Sequence, residues 1–100
     1  LDYKNQNIIA FETDFEGIAV EIFVNDSLII TEELYTDYSI GLASIIKVKK
    51  STNNALGIKI GVLPRINIIF PENRNCLRIR YDRNDNNLII WYCTILPFYE

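Results

Sequence analysis

Five basic side chains are spaced so that they can share the faces of predicted strands: Lys47, Lys49, Lys59, Arg78 and Arg80. Alternate residues of a strand point to the same side. If 44–50 pairs with 56–62 as a hairpin, Lys59 joins Lys47 and Lys49 on one face, and Arg78 and Arg80 form a similar pair on a later strand. Such an array suits phosphate groups, because each neutralised phosphate releases counterions. These five residues are the candidate binding site, with single-stranded nucleic acid or another polyanion as the ligand.

Two observations weigh against a polyanion. Proteins that bind single strands combine a basic groove with stacked aromatic rings, whereas Tyr81 alternates away from the arginines and Trp91 lies in the most apolar segment. A net charge of -3 and an isoelectric point near 4.9 also repel a polyanion at long range. A polyanion-binding β-barrel is therefore kept as an alternative function.

The charges are divided unevenly along the chain. Residues 1–46 hold nine carboxylates and one lysine, whereas 47–100 hold nine Lys or Arg and four carboxylates. An acidic half of this kind suits a basic protein partner, and its candidate residues are Asp14, Glu16, Glu21, Glu32, Glu33 and Asp37. A small acidic inhibitor or immunity-type protein that covers a basic toxin or enzyme is a second alternative.

The sequence offers little for catalysis. It has no histidine, which removes the usual general base and the commonest zinc ligand. Asp14, Glu16 and Glu21 could form an acid/base pair, but they lie in or beside a predicted turn, where solvated carboxylates are expected. The four glycines form no phosphate loop. We expect a protein that is not an enzyme and has no catalytic, cofactor or metal site.

Two short motifs indicate turns. The segment 82–86 matches the first ligand positions of a calcium loop, but Asn87 and Cys93 stand where glycine and a bidentate glutamate are required. Asn25-Asp26-Ser27 fits the N-glycosylation pattern, which is frequent by chance. We interpret both segments as polar turns.

Cys76 and Cys93 lack the C-x-x-C spacing of a metal or redox motif. A disulfide between them suits an extracellular protein, and the absence of a signal peptide favours an intracellular one, cytoplasmic or nuclear. In that setting two half-buried cysteines are more often free. We expect free thiols and leave the bond open.

Period-two alternation predicts most of the elements that position these residues. The segments 7–12 and 17–24 indicate a hairpin around 13–16, and the turn at 25–27 adds a third strand over 28–30. We expect a second hairpin around 51–54, formed by strands 44–50 and 56–62, and then a strand over 65–70 after Pro64. A third hairpin around 82–87 is expected to join strands 76–81 and 88–95. The last strand is apolar on both faces, which predicts a central position, and Pro97 ends it.

One segment has a helical pattern. Thr31 is followed by two acids, as at a helix start, and Leu34, Tyr38 and Leu42 recur at helical spacing. Poor helix formers follow, so the pattern predicts one helical turn or a short helix near 32–38.

The 49% hydrophobic content predicts one small globular domain over residues 1–100. It is mainly β, with seven or eight strands in an antiparallel sandwich or partly open barrel and at most one short helix. The first residue is not methionine, so we expect a domain excised from a larger protein, and no apolar run is long enough to span a bilayer. We expect a non-catalytic protein-interaction domain that docks a partner through a sheet edge or the charged face. The sequence does not indicate its oligomeric state.

Overall fold

The computed structural model describes residues 6–49, 55–71 and 74–94. Within these ranges the chain forms eight strands and no helix, which confirms the predicted mainly-β class. The strands are β1 (Gln6–Phe11), β2 (Glu16–Val24), β3 (Ser27–Tyr35), β4 (Ser44–Lys49), β5 (Leu56–Ile60), β6 (Ile66–Ile68), β7 (Cys76–Asp82) and β8 (Asn87–Cys93). They form two four-stranded sheets, sheet A in the order β4-β1-β7-β8 and sheet B in the order β3-β2-β5-β6.

The core lies between the two sheets and is built from alternate residues of their strands. Sheet A contributes Ile9, Phe11, Ile46, Val48, Leu77 and Ile79, and sheet B contributes Val20, Ile22, Leu34, Leu56, Ile58, Ile60 and Ile68. The buried ring of Phe15 packs against Phe11 and Tyr81, with ring centroids 5.6 and 6.1 Å away. Burial of this apolar set is the main favourable term in folding.

Two of the predicted hairpins are confirmed. β2 and β3 are joined by Asn25 and Asp26, both with positive φ (51° and 65°), as in the two-residue turns that match the twist of paired strands. β7 and β8 pair from Cys76 opposite Cys93 to Asp82 opposite Asn87. The Asp82 carboxylate accepts hydrogen bonds from the backbone N–H groups of Asn84 and Asp85, so it stabilises the turn.

The other two predicted hairpins are wrong. β1 lies in sheet A and β2 in sheet B, and β4 and β5 are divided in the same way. β4 pairs with β1, and β2 pairs with β5. The turn expected at 51–54 and Pro97 lie outside the described residues. In both cases the connection crosses from one sheet to the other, so the apolar residues of the two strands face the same core from opposite sides.

Three further expectations need correction. β1 and β7 are parallel, so the sandwich is not wholly antiparallel. The segment 32–38 forms no helical turn, because β3 continues to Tyr35 and a turn over 37–42 follows, with a bridge between Asp37 and Leu42. β8 stands at the end of the order of described strands rather than at the centre of its sheet.

Cys76 and Cys93 form a disulfide between directly paired positions of β7 and β8, with a Cα–Cα distance of 5.0 Å. The expectation of free thiols is therefore wrong. The sequence spacing could not show this, because the pairing register that brings the two residues opposite each other is set by the turn.

No helix in the described part of the chain is long and apolar enough to cross a membrane.

Candidate functional site

Four of the five basic residues lie on the outer face of sheet A, which we call the basic face: Lys47, Lys49, Arg78 and Arg80. In β4 the lysines alternate with the core residues Ile46 and Val48, and in β7 the arginines alternate with Leu77 and Ile79. β1 separates the lysine strand from the arginine strand. The expected array of five cations is thus reduced to two pairs on one sheet.

Lys59 does not belong to this face. It lies in β5 of sheet B, opposite Glu21 of β2, and its Nζ donates a hydrogen bond to the Gly61 carbonyl at 2.7 Å. The predicted array required β4 and β5 to be neighbours, but they are in different sheets. Lys59 therefore lies on the opposite outer face of the sandwich.

The basic face contains an aromatic residue that the sequence pattern excluded. Trp91 of β8 lies directly opposite Arg78, and the guanidinium carbons of Arg78 and Arg80 are 4.5 and 5.3 Å from the centre of the indole ring. Cation–π contacts of this kind are favourable. The apolar character of β8 hid the fact that alternate residues of the strand face the arginines.

A buried carboxylate, that of Glu12, partly neutralises the charge of Arg78 and Arg80. Glu12 is only 2% exposed, and its carboxylate accepts hydrogen bonds from Arg78 at 2.8 and 3.3 Å and from Arg80 at 3.1 Å. One negative charge thus stands against two positive charges. Glu12, Arg78, Arg80 and Trp91 thus form a cluster on sheet A. Because Glu12 already pairs with both arginines, they attract an external anion less strongly than the sequence suggests.

β3 forms the edge of sheet B among the described strands. It is nine residues long, whereas β6 at the other end of the same sheet has three. An edge strand directs part of its backbone N–H and C=O groups away from the sheet, where a further strand can pair with them. Of the two ends of sheet B, β3 offers the longer template.

Two carboxylates lie within the regularly paired part of β3. Glu33 is opposite Ala19 on the outer face, and Glu32 is opposite the buried Val20, so its side chain leaves the strand on the core side. Both are exposed because they stand at the rim of the sheet. We call the segment Ile30–Tyr35 the acidic edge.

Register irregularities limit this edge. The pairing with β2 shifts between Glu16 and Ile18 and again between Ile22 and Phe23. Gly17, with a φ of 69°, is the additional residue at the first shift, and Ile29 has no pairing position at the second. Regular pairing extends from Ile18 opposite Leu34 to Ile22 opposite Ile30, which leaves a short uniform edge.

Tyrosine and carboxylate side chains lie at the end of the acidic edge. Tyr35 is 65% exposed, and its hydroxyl donates to Glu33, which raises the pKa of the phenol because the ionised form would face this carboxylate. Tyr38 is 55% exposed and donates to Asp14 at 3.1 Å and to Glu16 at 3.3 Å.

Hydrogen bonds and an ion pair within the domain engage the side chains of Tyr38, Glu16 and Asp37. Loss of water contact and the bond to Asp14 raise the pKa of the Tyr38 phenol above its ordinary value of 10.0. Glu16 also pairs with Arg83 at 2.5 Å. The side chain and backbone N–H of Ser39 bond to Asp37, which lowers the pKa of that carboxyl. The bonds of Tyr38 to Asp14 and Glu16 hold its hydroxyl near the start of β2.

The carboxylates considered for catalysis do not form one site. Asp14 and Glu16 meet at the Tyr38 hydroxyl, but Glu21 lies further along β2, opposite Lys59. No group of three or more metal-ligating side chains occurs in the part of the chain that the structure describes.

The described residues form an eight-stranded β-sandwich, and its candidate surfaces are a charged face and an acidic edge. No family model matches the chain, and no curated protein or solved structure is significantly similar to it.

Proposed function

We propose that this domain is a non-catalytic protein-interaction domain that docks a partner along the acidic edge of β3. The observation that carries the proposal is the position of β3, which ends its sheet among the described strands while holding exposed Glu32 and Glu33 and exposed Tyr35. Addition of a partner strand supplies affinity through backbone hydrogen bonds, and the flanking side chains supply specificity. The acidic inhibitor considered from the sequence is one form of this function, with a basic toxin or enzyme as the partner.

Charge supports the choice of surface. Complementary charges steer a partner to its site and exclude wrong partners. Tyrosine is enriched among residues that dominate binding energies, since its ring buries a large area. The tyrosines and carboxylates at the end of β3 therefore suit a basic partner protein.

The proposal is tested by affinity capture from the native source with the wild-type domain and with Glu32→Lys and Glu33→Lys. The charge-matched control is Asp85→Lys, in the exposed turn between β7 and β8. We expect a partner that the wild type and Asp85→Lys retain and that both β3 variants lose, with unchanged circular dichroism. Equal retention by all four proteins would place the docking surface elsewhere.

Polyanion binding by the basic face is the second candidate, and Trp91 favours it, because Arg78 and Arg80 both contact its aromatic ring. A titration with a single-stranded oligonucleotide at about 50 and 200 mM salt tests this candidate, since phosphate-driven binding weakens steeply over that range. Substitution of Lys47 and Lys49 by glutamate should then remove the binding, whereas Lys59→Glu on the opposite face should retain it. Absence of binding at the lower salt concentration would eliminate the polyanion.

The disulfide also bears on the compartment. Disulfides persist in oxidising environments and are rare in the cytosol. Because Cys76 and Cys93 are bonded, we propose an oxidising compartment in place of the cytoplasmic or nuclear location expected from the sequence. Trapping of free thiols in protein taken directly from its source tests this location, and two free thiols per chain would restore the intracellular one.

A further inference from the structure

We infer that the segment docked on β3 is a short basic β-strand with cationic side chains at two adjacent positions, and that Glu32 excludes uncharged strands. This inference rests on the proposed function and names the chemistry of its partner. It follows from the opposite directions of two neighbouring carboxylates.

Adjacent residues of a strand point to opposite faces of the sheet. Glu33 therefore lies on the outer face with Thr31, and Glu32 lies on the core side with Ile30 and Leu34. A strand added beside β3 places successive side chains on the same two faces. Two adjacent cations in that strand would meet Glu33 with one side chain and Glu32 with the other.

Glu32 makes the edge selective. Its carboxylate has no ion pair or side-chain hydrogen bond to any described residue. A neutral apolar side chain placed beside it would remove water from the carboxylate without replacing the lost hydrogen bonds, which is costly. Inward-pointing charges on edge strands are one device by which proteins prevent unwanted pairing. A cation at that position removes the obstacle, so one residue both protects the edge and selects the partner.

The register sets the length of the docked segment. Pairing with β2 is regular only between Ile30 and Leu34, and it is interrupted on either side. Interruptions of this kind break the regular spacing of the hydrogen bonds along a strand pair. The partner strand is therefore about five or six residues long, the length of an ordinary strand.

A second copy of this chain fits less well. β4 is basic and ends sheet A among the described strands, but Lys47 and Lys49 both lie on the outer face and Ile46 and Val48 point into the core. Paired with β3 of another copy, β4 would match Glu33 and would place an apolar residue beside Glu32. We therefore commit to a separate basic segment as the occupant.

The test uses the 15N-labelled full chain and three synthetic hexapeptides, with binding followed through the backbone amide signals. The basic peptide is Thr-Val-Lys-Arg-Val-Thr, and the neutral peptide has glutamine at the two central positions. In the third peptide, prolines replace both valines, so that it retains the charges but cannot donate the same strand hydrogen bonds. We expect the basic peptide to shift the signals of residues 30–35 and to bind at least about tenfold more tightly than either control, a difference of 1.4 kcal/mol.

Variants separate the two carboxylates. In Glu32→Gln the neutral peptide should gain affinity and the basic peptide should lose it, so that their ratio falls below about threefold, or 0.7 kcal/mol. In Glu33→Gln the basic peptide should weaken without a gain for the neutral one. Asp85→Asn is the control with the same charge change away from β3, and it should behave as the wild type.

The outcomes distinguish the two proposals. Equal binding of the basic and neutral peptides at β3 would overturn the selective role of Glu32 and leave strand docking intact. Absence of shifts in β3 with every peptide would overturn docking itself, and so would equal binding of the proline peptide. Shifts in β3 that grow with protein concentration in the absence of peptide would identify a second copy as the occupant and overturn the inference.

Discussion

Glu12 and Arg78 are 66 positions apart in the chain and meet through two hydrogen bonds, at 2.8 and 3.3 Å. Glu12 follows β1, and Arg78 lies in the parallel neighbour β7, so the pair joins the first and seventh strands. Arg80 bonds to the same carboxylate at 3.1 Å. This buried carboxylate is therefore a link within sheet A that depends on both of its central strands.

Removal of this carboxylate should destabilise the domain. Breaking a buried ion pair typically costs about 3 to 5 kcal/mol, and because the arginines are partly solvated we expect about 2 to 3 kcal/mol for Glu12→Ala. Urea unfolding followed by Trp91 fluorescence measures the loss. Glu12→Gln retains an acceptor of the same shape and should lose less. A change below about 1 kcal/mol in the alanine variant, the value of an exposed pair, would show that solvent replaces the carboxylate.

The disulfide should contribute measurably to stability. A bond that closes a loop of about this length stabilises a protein by about 2 to 4 kcal/mol, mainly by restricting the unfolded chain. Replacement of both Cys76 and Cys93 by alanine should lower the free energy of unfolding by that amount, and chemical reduction of the wild type should lower it similarly. Urea titration under oxidising and reducing conditions makes the comparison. An unchanged midpoint on reduction would contradict the bond.

Gly57→Ala should displace an ordered arginine. A Cβ atom at Gly57 would clash with Nε of Arg65, whose guanidinium stacks on Phe23 at 4.2 Å and pairs with Asp26 at 2.8 Å. We expect a loss of about 1 to 2 kcal/mol, as for other overpacked sites.

A double-mutant cycle with Arg65→Ala provides the control for this prediction. Without the guanidinium, the alanine at Gly57 has nothing to displace, so it should cost under about 0.5 kcal/mol in that background. Chemical denaturation of all four proteins gives the coupling. Equal costs of Gly57→Ala in both backgrounds would show that the loss comes from the backbone rather than from Arg65.

Stability should fall at high pH through Tyr38. The folded-state pKa of its phenol is raised, first by loss of water contact and then by the bond to Asp14. The folded state therefore holds this proton above pH 10, where the unfolded state has released it, so stability is complete below pH 10 and declines as the pH rises through the folded pKa. Tyr38→Phe should remove part of this decline. Denaturation between pH 8 and 11 measures it, and an identical pH dependence in wild type and variant would contradict the assignment.

The sequence predicted those parts of the fold that local chemistry decides. Asn25 and Asp26 tolerate the positive φ that a tight hairpin turn requires, and the strands on either side pair as expected. The alternation of Lys47 and Lys49 with apolar residues correctly placed the lysines on an outer face. Local signals of this kind fix turns and faces.

The partners of the strands could not be predicted in this way. Alternation shows which side of β4 is buried, but not whether its neighbour is β5 or β1, and that choice divided Lys59 from the other cations. Trp91 was missed for the same reason, since its place beside Arg78 depends on register. Near 32–38, Glu32 hid the period of two, because at a sheet edge a charged residue can occupy a core-side position.

The parallel pairing of β1 with β7 also determines when sheet A can form during synthesis of the chain. β1 is made first, yet one side of it has no neighbour until most of the chain has been synthesised. The β2–β3 hairpin needs only adjacent residues and can form long before. Pairing between distant segments slows folding, because loop entropy is lost before contacts are gained. A nascent chain truncated before β7 therefore has the β2–β3 hairpin but an incomplete sheet A, which exposes apolar surface to chaperones or to other chains.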